Sequence, residues 1–286
     1  MPLDQIDVDK YEEEQEKEMS FLEHLEELRW HLVRSIAAVF VIGIIVFLAK
    51  DFVFDKIIFA PRYDSFLTYQ VICGFSELIG MGETLCFYPP DLKIIVIELG
   101  EVFFTHIKVS VILAFALAFP YLFWEIWRFV KPGLYDKEQK ATRGIVLICS
   151  GLFLMGILFG YYVISPFAVT FLAGYPLAGL DQATVALSSF VNYMIMFTVP
   201  SGLIFELPIV VFFLAKAGLV TPEFMRTYRK HAFIIILVLA AVVTPPDVVT
   251  QFLIGIPLFI LYEISIHIAK RVEKQHEKEF GVVAKP

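Results

Sequence analysis

Three carboxylates stand where an apolar sequence does not normally carry them. In "SGLIFELPIVVFFLAK" (Ser201–Lys216), Glu206 sits in a nearly unbroken apolar run, with Pro208 two positions on. Glu125 lies between Trp124 and Trp127, and Glu263 falls seven residues before Lys270. A bare charge near mid-bilayer costs at least ~2.5 kcal/mol, so such a group must be protonated, paired or wet. Glu125 and Glu263 are close enough to a basic surface to snorkel or to make a local salt bridge. Glu206 is not: it is ten residues from Lys216, roughly 15 Å of helix. Pro208 deprives the Ile204 carbonyl of its helical donor, and Pro200 does the same to Met196. The helix is therefore expected to bend, with a polar notch at Glu206 that either bonds internally or meets a partner.

Two further clusters lie at the basic side of the chain. In "FLEHLEELRWHL" (Phe21–Leu32), His24, Glu27 and His31 share one helical face, while Leu25, Leu28 and Leu32 form the apolar side. In "FVKPGLYDKEQK" (Phe129–Lys140), Pro132–Gly133 breaks the chain and Glu138 stands among basic residues. By composition alone these are an amphipathic entry helix and a charged loop. The other histidines are scattered, with no HExxH or CxxC spacing, glycine-rich phosphate loop or GxSxG elbow. The sequence thus argues against an enzyme and a metal centre and implies no cofactor and no nucleic-acid partner.

The elements that must position these residues are membrane helices. Of 286 residues, 58% are hydrophobic and only 19% charged, with a mean hydropathy of +0.73. Too few charges are present to coat a water-facing globule of this size. The chain is expected to be an all-α polytopic membrane protein with six spans, near 30–49, 108–127, 144–172, 189–215, 231–245 and 251–269. The last two are short, and the polar turn "TPPDVVTQ" between them folds one back on the other. They form either two short spans, which the flanking basic residues favour, or a buried hairpin.

Lys and Arg set the orientation. With both termini cytoplasmic, 18 of the 23 basic residues fall inside, and Trp30, Trp124 and Trp127 all lie at inner ends. Residues 1–19 form an acidic tail, read as a solvated, disordered arm: eight acids and two lysines fall within residues 1–18. No cleavable leader is apparent, so the first apolar helix is expected to direct insertion. Residues 20–270 make the membrane domain and 271–286 a cytoplasmic tail. The one large outer loop, about 50–107, holds Cys73 and Cys86, which are expected to pair in an oxidising compartment. Cys149 falls in the third span, as a small packing residue.

"HLEELR", "FVKPGLYDKE", "FELP", "TPPDVVTQ" and "YEIS", in this order on a six-span plan, resemble the TatC family of twin-arginine translocase subunits over about residues 20–270. The resemblance implies a glove-like concave bundle in the bacterial plasma membrane. It implies a receptor for signal peptides bearing two adjacent arginines, exporting folded proteins at the expense of the proton-motive force. It also implies self-association, and assembly with the single-span TatA and TatB proteins. By motif match Glu27 and Glu138 would recognise the arginines, with His24, Leu28, Arg29 and Phe129 shaping that site. Glu206 would be the intramembrane glutamate, and Pro61, Asp247 and Gln251 would lie near the outer surface. Two carboxylates suit the task, because guanidinium pairs with carboxylate in a bidentate fork that ammonium cannot form.

The chain departs from the family pattern in four places. His31 stands where a basic residue is common, and Lys137-Glu138-Gln139 where His-Glu-Arg is frequent. The outer loop is long through about 64–93, and the acidic tail is additional. A different class of function, a proton- or ion-coupled solute transporter using Glu206 as carrier, is disfavoured by the absence of an internal repeat and of a second deep carboxylate.

Overall fold

The computed structural model describes residues 21–80, 82, 86–89, 91–131, 144–174, 184–243 and 248–280. Among the described residues, five helical segments are long and apolar enough to cross a bilayer: Glu26–Leu48, Glu101–Val130, Ile145–Gly174, Leu187–Lys216 and Gln251–Lys274. Each overlaps one of the apolar stretches of the sequence. Much of their surface is bare of protein. Ile36, Phe40, Ile45 and Leu48 on the first helix, for example, are all more than half exposed, as lipid-facing residues would be.

Helix α1 (Phe21–Leu48) runs unbroken and packs along α3 (Glu101–Val130). Between them, α2 (Leu67–Leu78) is a short helix of the long loop that joins α1 to α3. The chain enters α3 through Gly100, whose φ of 83° an L side chain rarely adopts. Helix α4 (Ile145–Phe159) continues through a single π-turn at Gly160–Ile164 into α5 (Ser165–Gly174). The return span is broken: α6 (Leu187–Ile204) stops, and α7 (Leu207–Lys216) restarts. Pro208 explains the restart, since its missing N–H is one of those a helix start leaves unpaired anyway. The Glu206 carbonyl caps the break by accepting from the Ile209 and Val210 amides at 2.9 and 3.1 Å.

Glycines bring α4 and α6 into backbone contact. A Cβ on Gly156 would lie 2.6 Å from the Ser201 carbonyl oxygen, and one on Gly160 would lie 2.5 Å from that of Phe197. Position rises on one helix as it falls on the other, so the two cross antiparallel. Small residues at such a crossing let backbones approach, which is how apolar helices gain packing where lipid is as apolar as they are.

The chain then forms α8 (Pro222–Thr227), whose N–H of Phe224 is capped by the Thr221 hydroxyl, followed by α9 (Arg229–Val243) and α10 (Val248–Phe280). The expectation that both last helices are short holds for α9 alone. With 15 residues it reaches roughly 22 Å, against a ~30 Å hydrocarbon core. Helix α10 has 33 residues. Beyond the apolar stretch the sequence continues with Lys270, Arg271, Glu273 and Lys274, all good helix formers, and meets no helix breaker before Gly281.

One element was not anticipated. Lys93–Ile95 (β1) and Thr184–Ala186 (β2) pair in parallel, Lys93 with Thr184 and Ile95 with Ala186. Three residues each give too short a pattern to recognise in sequence.

Candidate functional site

At the basic end of the bundle, α1 and α3 are joined by a buried polar cluster. Glu125, 1% exposed, bonds His31 Nδ1 through Oε2. Its Oε1 accepts from the Tyr121 hydroxyl at 2.7 Å, one turn back on the same helix. The His31 ring meets Phe129 edge-on at 6.2 Å between centroids. Arg128 lies over the Trp124 ring at 4.9 Å, a cation–π contact at the headgroup-level end of the helix.

This cluster organises several of the residues singled out by motif. Glu27 lies one turn before His31 and is half-buried, while Leu28 and Arg29 are exposed. Phe129 lies one turn after Glu125. Glu138 and Asp247 fall outside the described residues, as does the side chain of His24.

Glu206 occupies the break between α6 and α7. Although it holds the N-cap position, its side chain makes no capping bond. It turns toward α4, where the Cys149 thiol donates to Oε2 at 2.7 Å. Oε1 is buried and has no hydrogen-bond partner among the described residues. Cys149 and Ile209 belong to one apolar cluster with Ile145, lined by Phe119, Phe123 and Phe213. Leu203 and Val210, three residues before Glu206 and four after it, are each about half exposed. The carboxyl therefore lies beside an open apolar face rather than deep in the bundle.

The third carboxylate, Glu263 on α10, has a cross-helix partner. Arg229 of α9 binds it in a fork, Nε to Oε1 at 2.7 Å and Nη2 to Oε2 at 2.8 Å. Gln251 ties the other end of this helix pair, donating to the Leu237 carbonyl at 3.1 Å.

In the segment between α1 and α3, a disulfide joins Cys73 to Cys86, with 4.7 Å between Cα atoms. Pro61 is buried, and its carbonyl accepts from the Tyr69 hydroxyl at 2.9 Å. Burial pushes the Tyr69 phenol up to about 12, so it stays a donor at any physiological pH. Phe66 stacks on Tyr162, and the Thr68 hydroxyl bonds the Tyr162 carbonyl, seating the α1–α3 loop on the α4–α5 span.

The buried Glu101 was not singled out in the sequence. Its carboxylate gathers the amides of Ile97, Glu98 and Ser188 at 2.7, 3.2 and 2.7 Å. It thus fastens the outer loop and the starts of α3 and α6 together. The signal available was its place directly after Gly100. The His31–Glu125 link was likewise unassigned, although Tyr121, Glu125 and Phe129 fall on one helical face. Among the described residues no group of three His, Cys, Asp or Glu converges as a metal site.

A family model for the Sec-independent protein translocase protein (TatC) matches residues 23–257. A relative so named from Blattabacterium sp. subsp. Periplaneta americana is 35% identical, covering 91% of this chain and 98% of its own. Another from Desulforapulum autotrophicum is 38% identical, covering 93% and 89%. A crystal structure of the twin arginine translocase receptor TatC is 32% identical, with a TM-score of 0.64, covering 87% of this chain and 99% of its own.

Proposed function

Since the chain belongs to the TatC family of Sec-independent protein translocase proteins, a multi-pass component of the bacterial inner membrane, we propose that it is the receptor subunit of a twin-arginine translocase. Six helices cross the bilayer, α9 being the short fifth, and both termini face the cytoplasm. The bundle is glove-shaped, with Glu206 toward its concave side. Glu27 and Glu138 bind the two arginines of a signal peptide at the cytoplasmic surface, and His24, Leu28, Arg29 and Phe129 shape that site. Single-span proteins of the TatA and TatB kind, with further copies of this chain, complete the machine that exports folded cargo on the proton-motive force.

One observation carries this reading beyond family membership. The buried bond from His31 to Glu125 clamps the helix end bearing Glu27 against the helix end bearing Phe129, just before the segment with Glu138. Motifs about a hundred residues apart in sequence are thereby brought to one end of one helix pair. The direct test is photo-crosslinking of the purified protein to a signal peptide with two arginines, beside the same peptide with two lysines. Crosslinking to the first and much less to the second is expected. Equal crosslinking to both would overturn the assignment of the carboxylates.

A further inference from the structure

We propose that Cys149 is a positioning residue for the intramembrane Glu206. Its thiol holds Oε2 against α4 and leaves Oε1 as the oxygen that bonds a polar group brought by a partner helix. This rests on the reading of Glu206 as a partner-facing group.

The arrangement follows from the crossing of α4 and α6. Gly156 lies against Ser201 and Gly202 with no room for a Cβ, which fixes how far one helix slides along the other. From that point Cys149 is two turns back along α4, and Glu206 is about one turn onward along the antiparallel return span. The two side chains meet because the glycines set the register. Cys149 is 1% exposed, so no water competes for the carboxyl oxygen it faces.

The break in the return span adds a second reason. A side chain at the start of a helix ordinarily satisfies that helix's own amides, and here Glu206 does not. The amides of Ile209 and Val210 in that first turn are already taken by its own carbonyl. The carboxyl is therefore released from its own helix and turned to α4, where the Cys149 thiol donates to it and the Phe153 amide lies close by. One oxygen is tethered and the other is buried without a partner among the described residues. A buried polar atom left unpaired is costly. The exposed flank formed by Leu203 and Val210 is the side from which a partner helix reaches it. Without the thiol, the carboxyl loses its side-chain donor on α4, so both its orientation and the partner's bond weaken.

Because Cys73 and Cys86 are joined, Cys149 is the one free thiol of the oxidised chain. That makes it a clean spectroscopic reporter. The infrared S–H stretch of the purified protein is expected at the position of a hydrogen-bonded thiol and should move to that of an unbonded one in Glu206→Leu. An S–H band at the same position in both proteins overturns the proposal, whatever the variants do in cells.

The functional arm compares three variants for export of a folded reporter bearing a twin-arginine signal peptide, in cells where this chain replaces the resident one. Glu206→Leu is expected to impair export strongly. Cys149→Val, which removes the donor, is expected to lower it roughly five-fold, the worth of one ordinary hydrogen bond. Cys149→Ser, which keeps a donor, should restore most of it. Unimpaired export by Glu206→Leu defeats the partner-facing reading itself. Impairment by Glu206→Leu with none by Cys149→Val defeats only the role of the thiol. Equal loss in Cys149→Ser and Cys149→Val does the same, since a donor would then not be what matters.

Discussion

His31 of α1 and Glu125 of α3 form a bonded pair whose carboxylate is almost wholly buried and whose second oxygen is held by Tyr121. Neither residue serves packing alone: an imidazole and a carboxyl at a helix contact stay there only while each satisfies the other. Removing one partner of a buried hydrogen-bonded pair strands the other, whereas removing both leaves an apolar contact.

Breaking this pair is the first prediction. His31→Leu or Glu125→Leu alone should destabilise the purified protein in detergent by about 1.5–3 kcal/mol. The double variant should be less affected than the two single effects combined, because no orphaned polar group remains. Glu125→Gln should be milder than Glu125→Leu. Thermal unfolding of the four proteins decides the matter, and strict additivity would argue that the two side chains act independently.

The α4–α6 contact predicts a sharp size dependence. A side chain at Gly156 or Gly160 would collide with backbone atoms, not with a flexible side-chain end. Gly156→Val should therefore cost roughly 1–3 kcal/mol or more. Gly151, whose Cβ would meet nothing within 4 Å, should tolerate the same change within about 0.5 kcal/mol apart from helix propensity. Comparable loss at Gly151 and Gly156 would remove the close crossing as the explanation.

The outer loop offers a covalent test. Thiol labelling of intact, unreduced protein should leave Cys73 and Cys86 unmodified, and reduction should expose both. In the chain-entropy account, closing a loop of this size contributes about 3 kcal/mol of local stability. The Cys73→Ser, Cys86→Ser variant should accordingly be cut faster in the outer loop by added protease. Labelling of both cysteines without reductant would show the bond to be absent in the protein as prepared.

Glu206 was conspicuous in the sequence because a lone carboxyl in an apolar run has a calculable cost, and Pro208 marked the break beside it. What it bonds to was not legible. Cys149 looked like a packing residue, since nothing local says which helix a thiol faces 57 positions away. The same limit hid His31 with Glu125: each lay on a recognisable helical face, but the pairing depends on how α1 lies along α3. Glu263 was read as able to snorkel or to make a local salt bridge, and Arg229 from the neighbouring helix pairs with it. The extent of α10 was misjudged for a different reason. Apolarity marks where a helix meets lipid, and charged helix formers carry the same helix onward into water.

Glu206 itself should be dispensable for the fold of the isolated chain. Its burial is incomplete, one oxygen has no partner among the described residues and the other accepts from a weak thiol donor. Glu206→Leu removes a polar group that lipid and protein both penalise. The purified variant should unfold at the same temperature as the parent or higher, while recovery of single-span partner proteins with it falls. A variant that unfolds on purification would make the residue a structural pin and end the partner-facing reading.

The last prediction concerns Glu27 and the arginine pair. Glu27 is half-buried one turn from the His31–Glu125 clamp, so its backbone is held while its carboxyl reaches solvent. The neighbouring Arg29, Arg128 and Lys131 are exposed and would repel two incoming arginines. In the proposed binding mode the carboxylates supply the local attraction, Glu27 from α1 and Glu138 from the segment that follows α3 in sequence. A charge-assisted bond at a partly exposed site contributes about 1.5–3 kcal/mol, so replacing either with Ala should weaken signal-peptide crosslinking roughly tenfold or more. Glu→Lys should abolish it by adding repulsion, with Glu→Asp and Glu→Gln falling between. The competing account is that these residues only orient the entry helix and its neighbouring loop. A charge swap separates the two. A signal peptide with acidic residues in place of its arginines should regain part of the lost crosslinking to the Glu27→Lys, Glu138→Lys protein, because the attraction returns with its sign reversed at both ends. No gain over the parent protein for that swapped peptide, with the variant shown to unfold at the parental temperature, would mean that the carboxylates do not touch the arginines.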